Sequence, residues 1–256
     1  CEHRRAENPL NYNKRMSKLK TLNRLLQRTG FELLHYNNST NGLLRRRAIF
    51  EKYNVDLIID VGANTGIFGE ETRAIGYSGD IVSFEPLHDA YAVLEKKTAK
   101  DPRWTAHHFA LGSEKSIQQI NISANSHSSS LLNILDRHTE AESSASYVGK
   151  QEIQVDTLDA VFPDFAAAKK EIFLKIDTQG FEMHVLKGAE KSLPRINTIQ
   201  LEMSLQPLYA GQALYHELMN FLHLHGYYLI DIEPGFTDEK SGVLLQFDGI
   251  FRREPA

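Results

Sequence analysis

Four acids in this chain stand where a parallel strand would end: Asp60, Glu85, Asp177 and Glu202. A carboxylate so placed can accept hydrogen bonds from hydroxyls, take up a proton or face a cation. Two of the four are tied to a glycine turn. Asp60 precedes Gly62-Ala63-Asn64-Thr65-Gly66, and Glu85 follows Gly66 by nineteen residues. That spacing is where a ribose-binding carboxylate belongs in a nucleotide-binding βαβ unit.

The elements that must position these acids agree with that reading. Leu57 to Val61 is an apolar run broken by one acid, as in a buried parallel strand. A short helical pattern follows the turn, Gly76 and Gly79 break it, and Ile81 to Phe84 makes a second strand that runs into Glu85. The turn has Asn64 where a dinucleotide site wants its middle glycine, so a pyrophosphate is poorly accommodated, and no Gly-Lys-Ser/Thr of a P-loop follows. A ligand with a ribose diol and adenine but no phosphate fits better, and S-adenosylmethionine (SAM) is the obvious one. Asp60 and the amides of the turn from Gly62 through Asn64 to Gly66 then serve its amino-acid end, and Glu85 accepts both ribose hydroxyls. Ala110-Leu111-Gly112, after a third strand from Trp104 to Phe109, falls where an adenine ring is sandwiched against backbone. A turn that merely lets a helix pack on a strand is the plainer alternative, disfavoured by the presence of both Asp60 and Glu85.

Composition bounds the rest. With 256 residues, 41% hydrophobic and 24% charged, the chain can build a complete core without disulfides or a structural metal. Its single cysteine, Cys1, excludes an intrachain disulfide and any zinc-type spacing and suggests a reducing, cytoplasmic setting. No apolar run approaches the roughly 20 residues that span a bilayer, and no signal-peptide core is visible. The net charge of −4 hides an asymmetry: residues 1–55 carry twelve Lys or Arg and four acids, a balance of +8, against −12 for residues 56–256. Without aromatic interleaving or a recognition motif, this basic stretch reads as a solvated helical arm rather than a nucleic-acid surface.

Taken in order, residues 1–15 are polar and expected to be mobile. Ser17 to Thr29 sets Leu19, Leu22, Leu25 and Leu26 on one helical face, with Gly30 as its stop. A turn at 37–42 leads to a second helix over Leu43 to Tyr53, and residues 1–55 read as a helical cap on a domain spanning 56–256. Pro86 to Lys100 is a helix. His107 and His108, adjacent on a strand, point to opposite faces, one half-buried and one exposed. Ile117 to Ile122 and Gln151 to Val155 are strands. The Ser-, Asn- and His-rich stretch 123–150 between them is either a poorly ordered surface excursion or a lid over the acceptor. Ile172 to Ile176, Ile196 to Met203, Tyr227 to Ile232 and Leu244 to Phe251 are further strands, with helices at 182–189 and 214–222. Strands alternating with helices predict a Rossmann-like, doubly wound α/β sheet with an N-terminal helical extension.

The chain resembles the FkbM-type methyltransferase family of SAM-dependent enzymes. The resemblance rests on Ile59 to Gly66, Phe84-Glu85-Pro86, Ala110-Leu111-Gly112, Val155 to Asp159, Leu174 to Glu182, Val185 to Glu190, and Glu202, in order over residues 56 to about 205. It implies a seven-stranded methyltransferase sheet and methylation of hydroxyls on sugars, polyketides or other natural products. The family often carries glutamate where this chain has Gln179, which puts a carboxylate role at that position in doubt here.

Methyl transfer to a hydroxyl needs the acceptor aligned with the methyl group and a route for its proton. All four acids are expected to border one crevice at the strand ends. Asp177 is the expected catalytic residue, as base or acceptor-orienting carboxylate and without a metal. An ion pair between Asp177 and Lys175 is not expected, strand neighbours facing opposite ways. His127 and His184 are weaker base candidates, and Glu182 is a first-turn acid favourable to its helix dipole. A magnesium ion held by Asp177 and Glu202 is conceivable, but no third ligand can be chosen. A nicotinamide-dependent oxidoreductase and a non-catalytic nucleotide-binding module are the competing function classes.

Overall fold

The computed structural model describes residues 19–253, so the expectations for Cys1 and for the polar residues 1–15 lie outside the described residues. Contacts divide the chain into two compact units, Cys1–Arg45 and Arg46–Ala256. The first unit contains a helix over 19–26 that tightens into a 3₁₀ turn, Gln27–Thr29, and stops at Gly30, whose φ of 82° suits a residue without a Cβ. The predicted apolar face of that helix leaves Leu22 and Leu25 exposed. The unit boundary falls inside helix α1 (Gly42–Tyr53), and Phe50 on its last turns packs edge-on against Phe173 with ring centroids 5.0 Å apart.

The second unit is a seven-stranded sheet with helices between its strands. In chain order it runs β1 (Leu57–Val61), α2 (Ile67–Ala74), β2 (Asp80–Phe84), α3 (His88–Thr98), β3 (Trp104–His107), β4 (Ala110–Leu111), β5 (Ser116–Ser123), α4 (Asp136–Ala141), β6 (Tyr147–Asp156) and α5 (Leu158–Ala166). Then follow β7 (Ile172–Ile176), α6 (Glu182–Lys187), β8 (Thr198–Ser204), α7 (Tyr215–Leu224), β9 (Tyr227–Pro234) and β10 (Gln246–Arg253). The main sheet has the order β3-β2-β1-β7-β8-β10-β9, with β10 antiparallel to both neighbours. Every residue of β1 and β7 is buried, as expected for central strands covered on both faces. Truncating one of their fully buried leucines, Leu57 or Leu174, to alanine should cost roughly 2–5 kcal/mol.

Strands β1, β2 and β3 run outward on one side of the sheet, and β7 and β8 on the other, so the chain reverses direction between β1 and β7. Ligands of open α/β sheets bind beyond the carboxyl ends of the strands at such a switch point. Here Val61 pairs with Ile176, which brings the residues after both strands, Gly62 and Asp177, side by side.

A second sheet, β4-β6-β5, was not expected from the sequence. Predicted strand three ends at His107, and Ala110-Leu111 instead starts a separate pairing with Val155-Asp156. Strand β6 begins at Tyr147, four residues before its predicted start, and lies antiparallel to β5. The small sheet packs Ile120, Ile153 and Val155 against Leu87 and Ala110. Stretch 123–150 is built rather than loose. Asn121 and Ser130 close a backbone bridge, and Asn125 ties Ser123, Ser128 and Ser144 together through its side-chain amide.

Candidate active site

A cavity of about 280 Å³ opens at the switch point. The turn from β1 shapes one wall. Gly62 takes φ 77°, and a Cβ there would lie 1.9 Å from the Asp177 carbonyl oxygen, so only glycine lets β1 and β7 leave the sheet this close together. Asn64 is also left-handed, at φ 48°, and steadies the turn with its own Oδ1 on the Thr65 amide at 2.7 Å. Gly66 is left-handed as well, but a Cβ there would meet Leu94 at 2.8 Å, and the residue is not part of the cavity lining. Its role is to start α2 and let it pack.

Glu85 lies in the cavity wall and is buried. Its Oε2 accepts the Asn64 amide at 2.7 Å and its Oε1 the Leu87 amide at 2.8 Å. Burial pushes its carboxyl up to about 7 even though both backbone donors favour the charged form. Each oxygen keeps a second lone pair for a ligand hydroxyl. Apolar Phe84, Leu87, Ala110 and Leu111 surround it, so this end of the cavity offers one carboxylate in an otherwise greasy slot.

Asp60 lies elsewhere than the sequence suggests. It is fully buried and absent from the cavity lining, with Oδ1 3.2 Å from Lys175 Nζ and Oδ2 accepting from Ser83 Oγ at 3.3 Å. Three of the four strand-end acids therefore border the crevice and Asp60 sits behind it. Lys175 also reaches Asp177, Nζ to Oδ2 being 3.4 Å, and donates to the Gly62 carbonyl at 3.3 Å. The expectation against a Lys175–Asp177 pair is thus corrected: residues two apart at a strand end share a face. Burial alone would depress the Lys175 ammonium, but the Asp60 and Asp177 carboxylates outweigh it and hold it above its ordinary value.

At the opposite end stand Asp177 and Glu202, joined by a residue the sequence did not single out for a role. Gln179 Nε2 donates to Asp177 Oδ1 at 2.9 Å and to Glu202 Oε2 at 2.7 Å. Gln246 Nε2 donates to the same Glu202 oxygen at 2.8 Å, and Tyr209 Oη donates to Gln179 Oε1 at 2.7 Å. Burial, reinforced by repulsion from Asp177, Asp248 and Glu182, raises the Glu202 carboxyl well above the usual range. Glu182 closes the turn after β7, its Oε1 accepting the Thr178 amide at 2.9 Å and the Gly180 amide at 3.1 Å. Burial pushes its carboxyl up to about 7.

From stretch 123–150, Ser126, His127 and Ser129 line the cavity mouth, and Asn64 Nδ2 donates to Ser126 Oγ at 3.4 Å. His127 is exposed there, whereas His184 stacks on Phe181 at 4.2 Å and does not line the cavity. His107 is half-buried against Phe84 and His108 is exposed against Tyr91, as their adjacency implies. Among the described residues no group of three or more His, Cys, Asp or Glu is arranged to hold a metal ion, and no helix is long and apolar enough to cross a membrane.

A doubly wound sheet with a cavity at its switch point is the Rossmann-like architecture of nucleotide-type ligand sites. The family profile described as Methyltransferase FkbM domain matches residues 60–229, and the chain belongs to that family. No curated protein matches the sequence. Among solved structures, the FkbM methyltransferase of Methylobacillus flagellatus KT is 14% identical, with 77% of this chain and 44% of that one covered and a TM-score of 0.44. TehB from Haemophilus influenzae is 10% identical, with 81% and 60% covered and a TM-score of 0.43. Magnesium protoporphyrin IX methyltransferase of Synechocystis PCC 6803, solved with bound SAM, is 8% identical, with 83% and 78% covered and a TM-score of 0.43. The chain spans less than two thirds of the length of the first two.

Proposed function

We propose that the chain transfers a methyl group from SAM to a hydroxyl of a small polar acceptor, a sugar or other natural product. One observation carries the reading: one cavity has a buried carboxylate in an apolar slot at one end and, at the other, two acids that both accept from the Gln179 amide. The residues present fit the cofactor. Glu85 would accept the ribose hydroxyls, Ala110 and Leu111 would flank the base, and the turn from Gly62 to Asn64 would face the amino-acid end, with the Asp60–Lys175 pair fixing the charge behind it. When bound, SAM supplies an electrophilic methyl group on a sulfonium.

The chain's own residues do the rest. Asp177 has Lys175 on one oxygen and Gln179 on the other, which holds its carboxylate in one orientation at the cavity wall. From there it would accept the acceptor hydroxyl's hydrogen bond, hold that oxygen in line for methyl transfer and take up the proton the hydroxyl gives up. Ser126, His127 and Ser129 at the mouth suit a hydroxylated acceptor. The family membership supports methyl transfer, and the missing middle glycine at Asn64 speaks against a nicotinamide dinucleotide.

Thermal denaturation with ligands tests this reading. SAM or S-adenosylhomocysteine at 100 times its dissociation constant should stabilise the fold by about 2.7 kcal/mol. NAD and NADP should leave the melting temperature unchanged, and stabilisation by NAD alone overturns the assignment.

A further inference from the structure

We propose that Gln179 is the positioning residue of the acceptor end: its amide occupies the place between Asp177 and Glu202 that a bridging cation would take, and so joins the two acids without a metal. The inference rests on the reading of that end as the acceptor side.

The geometry leaves the amide one orientation. Nε2 lies within hydrogen-bonding distance of both carboxylates, 2.9 Å from Asp177 Oδ1 and 2.7 Å from Glu202 Oε2, so each of its hydrogens has an acid to meet. The other orientation would place the carbonyl oxygen 2.9 Å from an Asp177 carboxylate oxygen, two acceptors with no hydrogen between them. Tyr209 Oη, donating to Oε1 at 2.7 Å, fixes the choice from behind. The backbone is held as tightly: Gln179 adopts φ 54°, and its carbonyl accepts from Ser130 Oγ at 2.7 Å. A non-glycine residue in the left-handed region persists only where its surroundings over-determine it, and such positions gather at functional sites.

The consequence concerns charge. Gln179 brings two donors and no charge to a place already faced by Asp177, Glu182, Glu202 and Asp248 and by the Lys175 ammonium. A divalent ion entering between Asp177 and Glu202 would meet the hydrogens of the amide and have to displace it. Glutamate at 179 would remove both donors and set a third carboxylate beside the first two. Magnesium and manganese are bound through one or two carboxylates and waters, so that change converts a donor-bridged pair into a cation-hungry cluster.

The experiment uses the full chain as wild type, Gln179→Glu, Gln179→Met and Tyr209→Phe. Manganese binding is followed by water-proton relaxation, and the Glu202 carboxyl is titrated by carbon-13 NMR. Gln179→Glu should bind manganese at least ~10-fold tighter than wild type, as a third carboxylate adds charge and a ligand. Gln179→Met should move the Glu202 titration upward, because a donor that favours the charged form is gone. Tyr209→Phe, which removes only the hydroxyl behind the amide, should move it the same way by less, and keeps the test open if the Met variant does not fold. Wild type binding manganese as tightly as Gln179→Glu overturns the proposal, as does a Glu202 titration unmoved in both other variants. SAM stabilisation of the wild-type melt is read in parallel: its absence counts against the cofactor assignment, and its presence leaves the manganese result to judge Gln179 alone.

Discussion

The two ends of the cavity are held by different means. At the Glu85 end the partners are backbone: the carboxylate accepts the amides of Asn64 and Leu87, and the turn that offers one of them is shaped by a left-handed glycine. At the Asp177 end the partners are side chains drawn from distant strands and loops, with Gln179, Tyr209, Glu202 and Gln246 in one network. Backbone partners cannot be substituted away, whereas every link of a side-chain network can be. The first end is therefore fixed wherever the chain folds, and the second can be retuned residue by residue.

The sharpest contrast lies between two glycines. Gly62→Ala forces a left-handed φ on a residue whose Cβ lies 1.9 Å from the Asp177 carbonyl. The left-handed backbone alone costs roughly 1–2 kcal/mol, and the clash requires β1 and β7 to separate. Gly180→Ala has the same kind of φ, 95°, but its nearest contacts are side-chain atoms of Tyr209 and Gln212 at 3.1 and 3.2 Å, which need move only a few tenths of an ångström. Gly62→Ala should abolish SAM binding and lower the melting temperature more than Gly180→Ala does; equal losses would remove the distinction between a backbone-built end and a side-chain-built one.

Asp177→Asn comes next. It keeps the shape and the Gln179 contact region but loses the charge that faces Lys175. Methyl transfer should fall by roughly 10²–10⁴-fold while SAM affinity, measured by calorimetry, stays within a few-fold. Near-normal turnover removes Asp177 from the chemistry.

Glu85→Gln probes the other end. The amide can present its oxygen to only one of the two backbone donors that Glu85 now accepts, and charge-assisted bonds to the ribose would be lost. With such bonds worth roughly 1.5–3 kcal/mol, SAM affinity should drop more than tenfold in a folded protein. Unchanged affinity takes Glu85 out of the ribose site.

The same contrast explains what could be read in the sequence. The Glu85 end is written in contiguous motifs, Gly62 to Gly66 and Phe84 to Pro86, because backbone geometry is local. The seven-stranded sheet was legible for a similar reason, through buried runs such as Ile172 to Ile176. Gln179 was noticed only as a departure from the family, since nothing local signals that residues 202, 209 and 246 will converge on its side chain. The Lys175–Asp177 contact was legible in principle from their spacing of two. Asp60 illustrates the reverse failure: a strand-end acid invites a ligand, but a lysine two positions before Asp177 claims it from the neighbouring strand. The β4-β6-β5 sheet escaped because β4 is two residues long and pairs with β6 far along the chain.

The smallest expected effect separates turn-building acids from ligand-binding ones by their pH dependence. Glu182 is buried, its carboxyl pushed up to about 7 by burial, and it accepts the Thr178 and Gly180 amides without lining the cavity. A folded-state value above the ordinary one means the native state binds more protons, so Glu182's contribution is fully present below the ordinary glutamate range. It is lost as pH rises through about 7, at up to about 1.4 kcal/mol per pH unit. Glu85 acts in the same direction, and His138, held down to about 4 by burial, acts in the opposite one between about 4 and 6.5. His107, His108 and His184, also held down by burial, oppose the glutamates as well, so the quantity to read from urea melts over pH 6.5 to 7 is the difference in slope between wild type and variant. Glu182→Gln keeps a carbonyl oxygen for the two amides and cannot ionise, so its slope should be less negative than wild type's over that interval, with SAM affinity unaltered. An equal slope in the variant would mean Glu182 is not neutral in the native turn. A loss of SAM affinity would instead join the Glu182 turn to the cofactor end and blur the division between the two halves of the cavity.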